Sequence, residues 1–150
     1  MVKIVITVDD SGLKRAIAEL RGRLADMSPV MKAVSAVMHD TVEENFEEEG
    51  RPKWTPLARA TVKQREKLGY GPEHPILQRS GDLARSCVPG HTATSAFVST
   101  NWPYAAIHQF GGMAGRGRKV RIPARPFLTL ADGDIPPIIK IIGRYLTEGL

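Results

Sequence analysis

The spacing of apolar residues in the first third of the chain predicts one strand and two amphipathic helices. Val2–Val8 places β-branched side chains at every second position, which is typical of a half-buried strand. The first helix is predicted to be capped by Asp10 or Ser11, and the second to open at Ser28-Pro29 and stop at Gly50. Their apolar seams are Leu13, Ile17, Leu20 and Leu24 in the first helix, and Met31, Val34, Met38, Val42 and Phe46 in the second.

The middle of the chain predicts shorter elements that glycine and proline separate. A polar helix is predicted from Thr55-Pro56 to about Leu68, and a loop is predicted over Gly69–Pro75. Residues 85–100 alternate in the manner of a β-hairpin with its turn near Gly90-His91. This hairpin is expected to pair with the N-terminal strand and complete a small sheet.

Glycine also interrupts the last third of the chain. Asn101 is expected to cap a helix over Tyr104–Phe110, which closes at Gly111-Gly112. Gly111–Lys119 holds four glycines and three basic residues in nine positions, a composition that predicts a long mobile loop. A final helix is expected to start at Asp134. Its predicted apolar face consists of Ile135, Ile138, Ile139, Ile142 and Leu146.

Together these elements predict an α+β fold in which helices pack on one face of a small, mostly antiparallel sheet. A chain of 150 residues with 42% hydrophobic and 25% charged residues is expected to form a single domain over residues 1–150. A single cysteine excludes an internal disulfide and suits a reducing cytoplasm. Neither a signal peptide nor a membrane span is expected from the sequence.

Charge is distributed unevenly along the chain. Residues 1–50 hold 6 basic and 10 acidic side chains, a net of −4, whereas residues 51–150 hold 15 basic and 6 acidic side chains, a net of +9. The acidic end of the second helix, residues 43–49, opposes the helix dipole and is expected to need a basic partner.

A basic cluster lies in the one long stretch without acids, between Asp82 and Asp132. The residues predicted to form an assembly interface there are Arg116, Arg118, Lys119, Arg121 and Arg125. Such a cluster suits protein carboxylates or DNA phosphates, and an unevenly charged solvated surface is the alternative without a partner. Aromatic residues are sparse around the cluster, which disfavours base stacking.

Catalysis, cofactor binding and metal binding are not predicted. The four histidines are scattered, and no carboxylate pair, phosphate loop or metal-ligand spacing is recognisable. Cys87 with His108 is the one plausible thiol and imidazole pair, but a lone cysteine is more often a small buried hydrophobic residue.

Two short motifs hold polar residues for which structural roles are favoured over active-site roles. In Gln78-Arg79-Ser80-Gly81 the side chains are expected to satisfy loose backbone groups, and Arg79 is expected to pair with Asp82. In the helix that follows Asn101, three residues are expected to bury one side, and His108 is expected to hold the turn by hydrogen bonding. The three are Tyr104, Ile107 and Phe110.

Four stretches, taken in order, carry a family resemblance. They are Trp54–Glu66 (WTPLARATVKQRE), Ile76–Ser86 (ILQRSGDLARS), Tyr104–Gly112 (YAAIHQFGG) and Ile122–Leu130 (IPARPFLTL). Together they resemble the phage virion morphogenesis and tail-completion family of Mu-like and P2-like tailed phages. The structural motif positions within them are Gln78, Arg79, Ser80, Gly81, Tyr104, His108, Gln109, Phe110, Gly111, Pro126 and Phe127.

The resemblance implies a structural protein, not an enzyme, that acts in tail completion or head–tail joining through protein contacts. The implied partners are phage tail, neck or head proteins, and a homo-oligomeric ring is expected by analogy with the family. The implied location is the host bacterial cytoplasm during assembly and the neck or tail end of the virion. The alternative is a DNA-contacting neck or head module that uses the basic residues 116–125 for nonspecific contact. No membrane is involved in either case.

Overall fold

The computed structural model describes residues 9–71 and 74–148, in which helices alternate with short strands. The helices are α1 (Ser11–Ala25), α2 (Ser28–Glu47), α3 (Arg59–Lys67), α4 (Asp82–Arg85), α5 (Ala105–Phe110) and α6 (Ile135–Thr147). The strands are β1 (Val88–His91), β2 (Ala96–Ser99), β3 (Gly112–Ala114) and β4 (Val120–Ile122), and short 3₁₀ turns span Arg116–Arg118 and Asp132–Asp134. Both strand pairs, β1 with β2 and β3 with β4, are antiparallel, which confirms the α+β class. The strand predicted at Val2–Val8 and its pairing lie outside the described residues.

Helix α2 is the central element, and four of the five residues of its predicted apolar seam are buried, with Met38 half-buried. Its N-terminal half contributes Val30, Met31 and Val34 to a cluster with α6. Its C-terminal half contributes Val42 and Phe46 to a second cluster. The other buried members of this second cluster are Trp54, Leu83, Cys87, Ala105 and Phe127. One helix therefore organises both parts of the core.

The caps of the first two helices differ from the prediction. The Asp26 carboxylate accepts a hydrogen bond from the Ser28 backbone N–H at 2.9 Å, and the Ser28 hydroxyl does not cap α2. In the same way the Asp9 carboxylate accepts from the Ser11 N–H at 3.0 Å. In both places an aspartate accepts from the N–H of the first helical residue, and the residue at the cap position makes no side-chain capping hydrogen bond.

The β1–β2 hairpin is confirmed, but its turn lies three residues later than predicted, at Thr92–Ser95. Gly90 and His91 belong to β1, paired with Phe97 and Ala96, and the turn is closed by a 2.8 Å hydrogen bond from the Thr92 N–H to the Ser95 carbonyl. A Cβ at Gly90 would lie 2.4 Å from the Phe97 ring. The glycine therefore serves cross-strand packing and not a turn. Both strands pack against α2.

Two predicted helix boundaries or faces are wrong. Helix α3 starts at Arg59 and not at Thr55-Pro56. In α6 the residues that pack toward α2 are Ile138, Ile141, Ile142 and Tyr145. Ile135 and Ile139, which were predicted on the buried face, are exposed. An isoleucine-rich helix has apolar residues on several sides, so periodicity alone does not fix which side is buried.

Replacing a buried phenylalanine tests this core against a matched surface site. Phe127→Ala removes a ring that is 0% exposed and packs 5.3 Å from the Phe46 ring centroid, so we expect a loss of about 3–5 kcal/mol in unfolding free energy. The control is Phe110→Ala, because Phe110 is 79% exposed and its loss should change stability by less than about 0.5 kcal/mol. Urea unfolding followed by circular dichroism measures both. Equal losses in the two variants would contradict this core.

Candidate assembly interface

The acidic end of α2 finds its basic partner within the same chain. Arg51, four residues beyond the end of α2, pairs with Glu44 at 2.9 Å and bonds both carboxylate oxygens of Asp134, at 3.1 and 3.0 Å. Its Nε also donates to the Asn45 side-chain oxygen at 3.0 Å. This internal network ties the end of α2 to the start of α6. Three further acids of this helix end, Glu43, Glu47 and Glu48, remain exposed.

Two side-chain amides hold the segment that contains Phe127. The Asn45 Nδ2 donates to the carbonyls of Phe127 and Thr129, both at 2.9 Å. The Gln109 Oε1 accepts from the N–H groups of Phe127 and Leu128 at 3.1 and 3.0 Å, and its Nε2 donates to the Leu128 carbonyl at 3.2 Å. Sequence reasoning assigned Gln109 a structural role but missed Asn45. The available signal was a polar residue within the apolar seam of α2, next to Phe46.

Arg125 does not belong with the other basic residues, because it is buried. It is 5% exposed, and its guanidinium donates to the carbonyls of Thr55 at 2.9 Å and Pro56 at 3.1 Å. Burial lowers the pKa of this guanidinium from its usual value. Next in the chain, the Pro126 carbonyl accepts from Trp54 Nε1 at 3.0 Å. Arg125 thus connects two of the family motifs, Trp54–Glu66 and Ile122–Leu130, within the folded core.

His108 holds its turn through the backbone and not through its ring. Its carbonyl accepts from the Arg125 N–H at 2.7 Å, whereas the ring Nδ1 is buried without a hydrogen-bond partner among the described residues. Burial, and then the positive charge of Arg125, lower the pKa of His108, so the ring is neutral at pH 7. The expected side-chain hydrogen bond is therefore wrong.

The Gln78–Gly81 motif caps the far end of α2. Gln78 Nε2 donates to the Phe46 carbonyl at 2.8 Å, which satisfies one of the last carbonyls of that helix. Asp82 accepts from the Ser80 hydroxyl at 2.6 Å and pairs with Arg85 at 2.6 Å. Arg85 takes the place predicted for Arg79, which is exposed. Gly81 has φ of 75° and directly precedes α4.

The predicted Gly/Arg loop contains a β-hairpin, here called the basic hairpin (residues 112–122). Met113 lies opposite Arg121, and Ala114 opposite Val120. Gly111 at its base needs φ of 72°, and a Cβ there would lie 2.8 Å from the Ala124 nitrogen. At the tip Arg118 has φ of 51°, which is uncommon for a residue with a side chain. The mobility of this segment stays a prediction.

Four cations of the predicted interface are exposed on the basic hairpin. They are Arg116, Arg118, Lys119 and Arg121. None of the four forms an ion pair with a residue in the described ranges 9–71 and 74–148. They are accordingly available to carboxylates or phosphates outside the chain.

Large side chains with apolar surface are also exposed on the basic hairpin and at the two ends of the preceding helix α5. Tyr104, Phe110, Met113 and Val120 are all exposed. Tyr104 and Phe110 were predicted to be buried, and that prediction is wrong. In a six-residue helix the inward face is set by Ala105 and Gln109, one turn apart, so Phe110 is rotated away from the core.

A cleft of about 750 Å³ lies beside the basic hairpin, between the segment around α3 and strand β4. Its apolar lining includes Leu57, Leu68, Leu77 and Trp102, and its charged lining is Arg65, Arg79, Arg121, Arg125 and Asp82. Val120 and Ile122 of the hairpin form one wall. The cleft is thus continuous with the exposed apolar and cationic surface, and its charge is mainly positive.

Among the described residues, those relevant to catalysis or metal binding are a buried thiol and a group of three side chains on α2. Burial raises the pKa of the Cys87 thiol to about 11, and this thiol donates to the Leu83 carbonyl at 3.5 Å. The ligand atoms of His39, Asp40 and Glu43 lie within 4.8 Å of one another, but two of these side chains are exposed on one side of α2.

Within the ranges the structure covers, no helix combines the length and apolar character that crossing a bilayer requires.

Comparison with known proteins identifies the family. The phage virion morphogenesis family matches residues 8–147. "Mu-like prophage FluMu G protein 2" of Haemophilus influenzae is 41% identical over 130 residues, which cover 87% of this chain and 86% of that protein. "Putative capsid assembly protein G" of Escherichia phage Mu is 29% identical over 150 residues, covering 97% and 95% of the two chains. No solved structure shows a significant match. The family match spans nearly the whole described fold, and the chain therefore belongs to the phage virion morphogenesis family.

Proposed function

We propose that this chain is a structural protein of phage assembly that acts in tail completion or head–tail joining, through protein–protein contacts. Its family membership supports a role in building the virion. The observation that carries the finer proposal is the basic hairpin, which presents four exposed cations together with exposed Met113 and Val120. Tyr104 and Phe110 are exposed at the two ends of the preceding helix α5. Arginine, aromatic residues and methionine are the side chains enriched at protein interfaces.

The partners proposed for this surface are other virion proteins and neighbouring copies of the chain. A partner segment that packs on the hairpin would also reach the adjacent cleft of about 750 Å³, whose apolar lining gives it area to bury. In a neighbouring copy, the exposed Glu43, Glu47 and Glu48 at the end of α2 have the opposite charge. Contact between two different surfaces of identical subunits is head-to-tail, and it forms a ring when the rotation closes.

The composition of the hairpin supports ordering on contact. A two-stranded hairpin is marginally stable alone, and residues 111–119 include four glycines that lose much backbone entropy when fixed. A partner that fixes the tip therefore supplies the missing free energy. Assembly of this kind takes place in the host cytoplasm, and the protein then stays at the neck or tail end.

Electron microscopy of phage particles made without this protein tests its step in assembly. We expect complete heads and separate tails to accumulate, because a missing joining or completion contact leaves both parts intact. Supplying the wild-type protein in trans should restore joined virions, and supplying R116E/R118E should not. Normal virions in its absence, or heads that fail to form, would contradict the proposal.

Charge reversal on the basic hairpin tests the contact between copies. We expect R116E/R118E to weaken self-association of the purified chain by about tenfold or more, because it places acids opposite the acidic end of α2. The matched control is K63E/K67E, which makes the same change in net charge on exposed residues of α3. Sedimentation velocity over a concentration series measures the effect. A wild-type chain that stays monomeric, or equal behaviour of the two variants, would rule out the ring contact.

The second candidate is a DNA-contacting neck or head module. The observation that favours it is the same group of four exposed cations, in a stretch without acids from residue 83 to 131. It predicts binding of random-sequence duplex DNA at low salt. In a plot of the logarithm of the binding constant against the logarithm of salt concentration, the slope should be about −0.9 for each phosphate contacted. R116E/R118E should reduce the steepness of this slope by about 2, whereas K63E/K67E should not. A wild-type chain that leaves the duplex unbound at low salt eliminates this candidate.

A further inference from the structure

Helix α1 leaves its apolar seam open to solvent. Leu13, Ile17 and Leu24 are 64%, 50% and 49% exposed, and none of the fifteen residues of α1 is buried. A helix of this length is marginally stable in water without tertiary contacts. The fold thus shows an amphipathic helix without the contact that its sequence pattern calls for.

The attachment of α1 to the rest of the chain explains which side is open. Arg23 Nη1 donates to the carbonyls of Tyr145 and Leu146 near the end of α6, both at 3.1 Å, and Nη2 donates to the Glu148 carbonyl. The half-buried residues of α1 are Ala16, Leu20 and Arg23, spaced by four and three. They mark the side toward α6. The exposed seam residues lie on the neighbouring side of the helix, away from α6.

The spacing of the seam indicates a helical occupant. Leu13, Ile17, Leu20 and Leu24 are separated by four, three and four residues, which is the alternation of d and a positions in a heptad repeat. Side chains at this spacing fit the holes on the surface of a second helix. An extended strand does not present a repeat that matches it.

The charges at the open border of the seam restrict the partner further. Lys14 and Arg21 follow Leu13 and Leu20 and occupy the flanking e positions on the side away from α6. Both side chains are exposed, and Lys14 pairs with Asp10 at 3.1 Å within the same helix. Two antiparallel copies of α1 packed along this seam would bring Lys14 and Arg21 opposite each other, and these like charges disfavour that pairing. In two parallel copies Arg21 would face Ala16, which offers no acid to pair with it.

We propose that this open seam is the docking site for an amphipathic helix of another protein, whose apolar stripe is flanked by glutamate or aspartate. The apolar stripe covers Leu13, Ile17 and Leu24, and the acids meet Lys14 and Arg21. This surface is separate from the basic hairpin, so the inference goes beyond the proposed function and does not depend on it. It assigns α1 as a second point of contact with the virion or its assembly machinery.

Two synthetic peptides test the seam with the full-length chain. Each is about three heptads long with leucine at the a and d positions, and they differ only in carrying glutamate or lysine at e and g. We expect the glutamate peptide to bind at least about tenfold more tightly in a fluorescence-anisotropy titration. The variant L13Q/I17Q should lose this binding and keep its thermal unfolding, because both residues are exposed. The control F110Q/M113Q, which changes two exposed residues at the end of α5 and on the basic hairpin, should bind normally.

A charge swap separates specific docking from general stickiness of leucine. In K14E/R21E we expect the preference to reverse toward the lysine peptide. Equal binding of both peptides, no binding of either, or a preference that K14E/R21E leaves unchanged would overturn the proposal. A wild-type dimer that L13Q/I17Q dissociates would also overturn it, because a second copy would then occupy the seam.

Discussion

The position of the Phe127 side chain fixes much of this structure. Its ring is held by apolar burial, and the backbone of Phe127, Leu128 and Thr129 is held by directed hydrogen bonds. The ring is fully buried between α2 and the second half of the chain, 5.3 Å from the Phe46 ring centroid. The backbone on either side of it bonds to two amide side chains, Asn45 and Gln109. A buried amide left without its partner costs about 1–3 kcal/mol, so the ring cannot shift without breaking these bonds. Packing sets the depth of the segment, and the amides set its register.

The burial of Phe127 and the hydrogen bonds of Asn45 and Gln109 also determine where the basic hairpin leaves the core. One base of the hairpin follows Gln109, and the other precedes Arg125, which is bonded to the Thr55 and Pro56 carbonyls and to the His108 carbonyl. Both bases are therefore anchored in the core. The tip at residues 116–118 has no such support and carries its cations in solvent. Because its base is anchored, the basic hairpin keeps one orientation relative to the core, while the contacts of its tip can adjust to a partner.

Periodicity in the sequence predicted the elements that bury one continuous face. The seam of α2 and the β1–β2 hairpin follow from it. Composition grouped Arg125 with four surface cations. Its guanidinium in fact donates to the carbonyls of Thr55 and Pro56, about seventy residues earlier, and the sequence does not show a contact over that separation. Phe110 was assigned to the core for a related reason. A six-residue helix has room for one inward face, and Ala105 and Gln109 occupy it.

The electrostatics of the chain also change once the structure is known. The excess of acids in the first fifty residues is partly neutralised inside the fold, since Arg51 takes up Glu44 and Asp134. The cations of the basic hairpin have no comparable partner among residues 9–71 and 74–148. Helix α1 has an apolar surface that is not buried, because Leu13, Ile17 and Leu24 are exposed. The fold thus satisfies its central elements internally and leaves one charged and one apolar surface at separate places. Such a division suits a protein whose stability comes from its own core and whose contacts come from the particle that it helps to build.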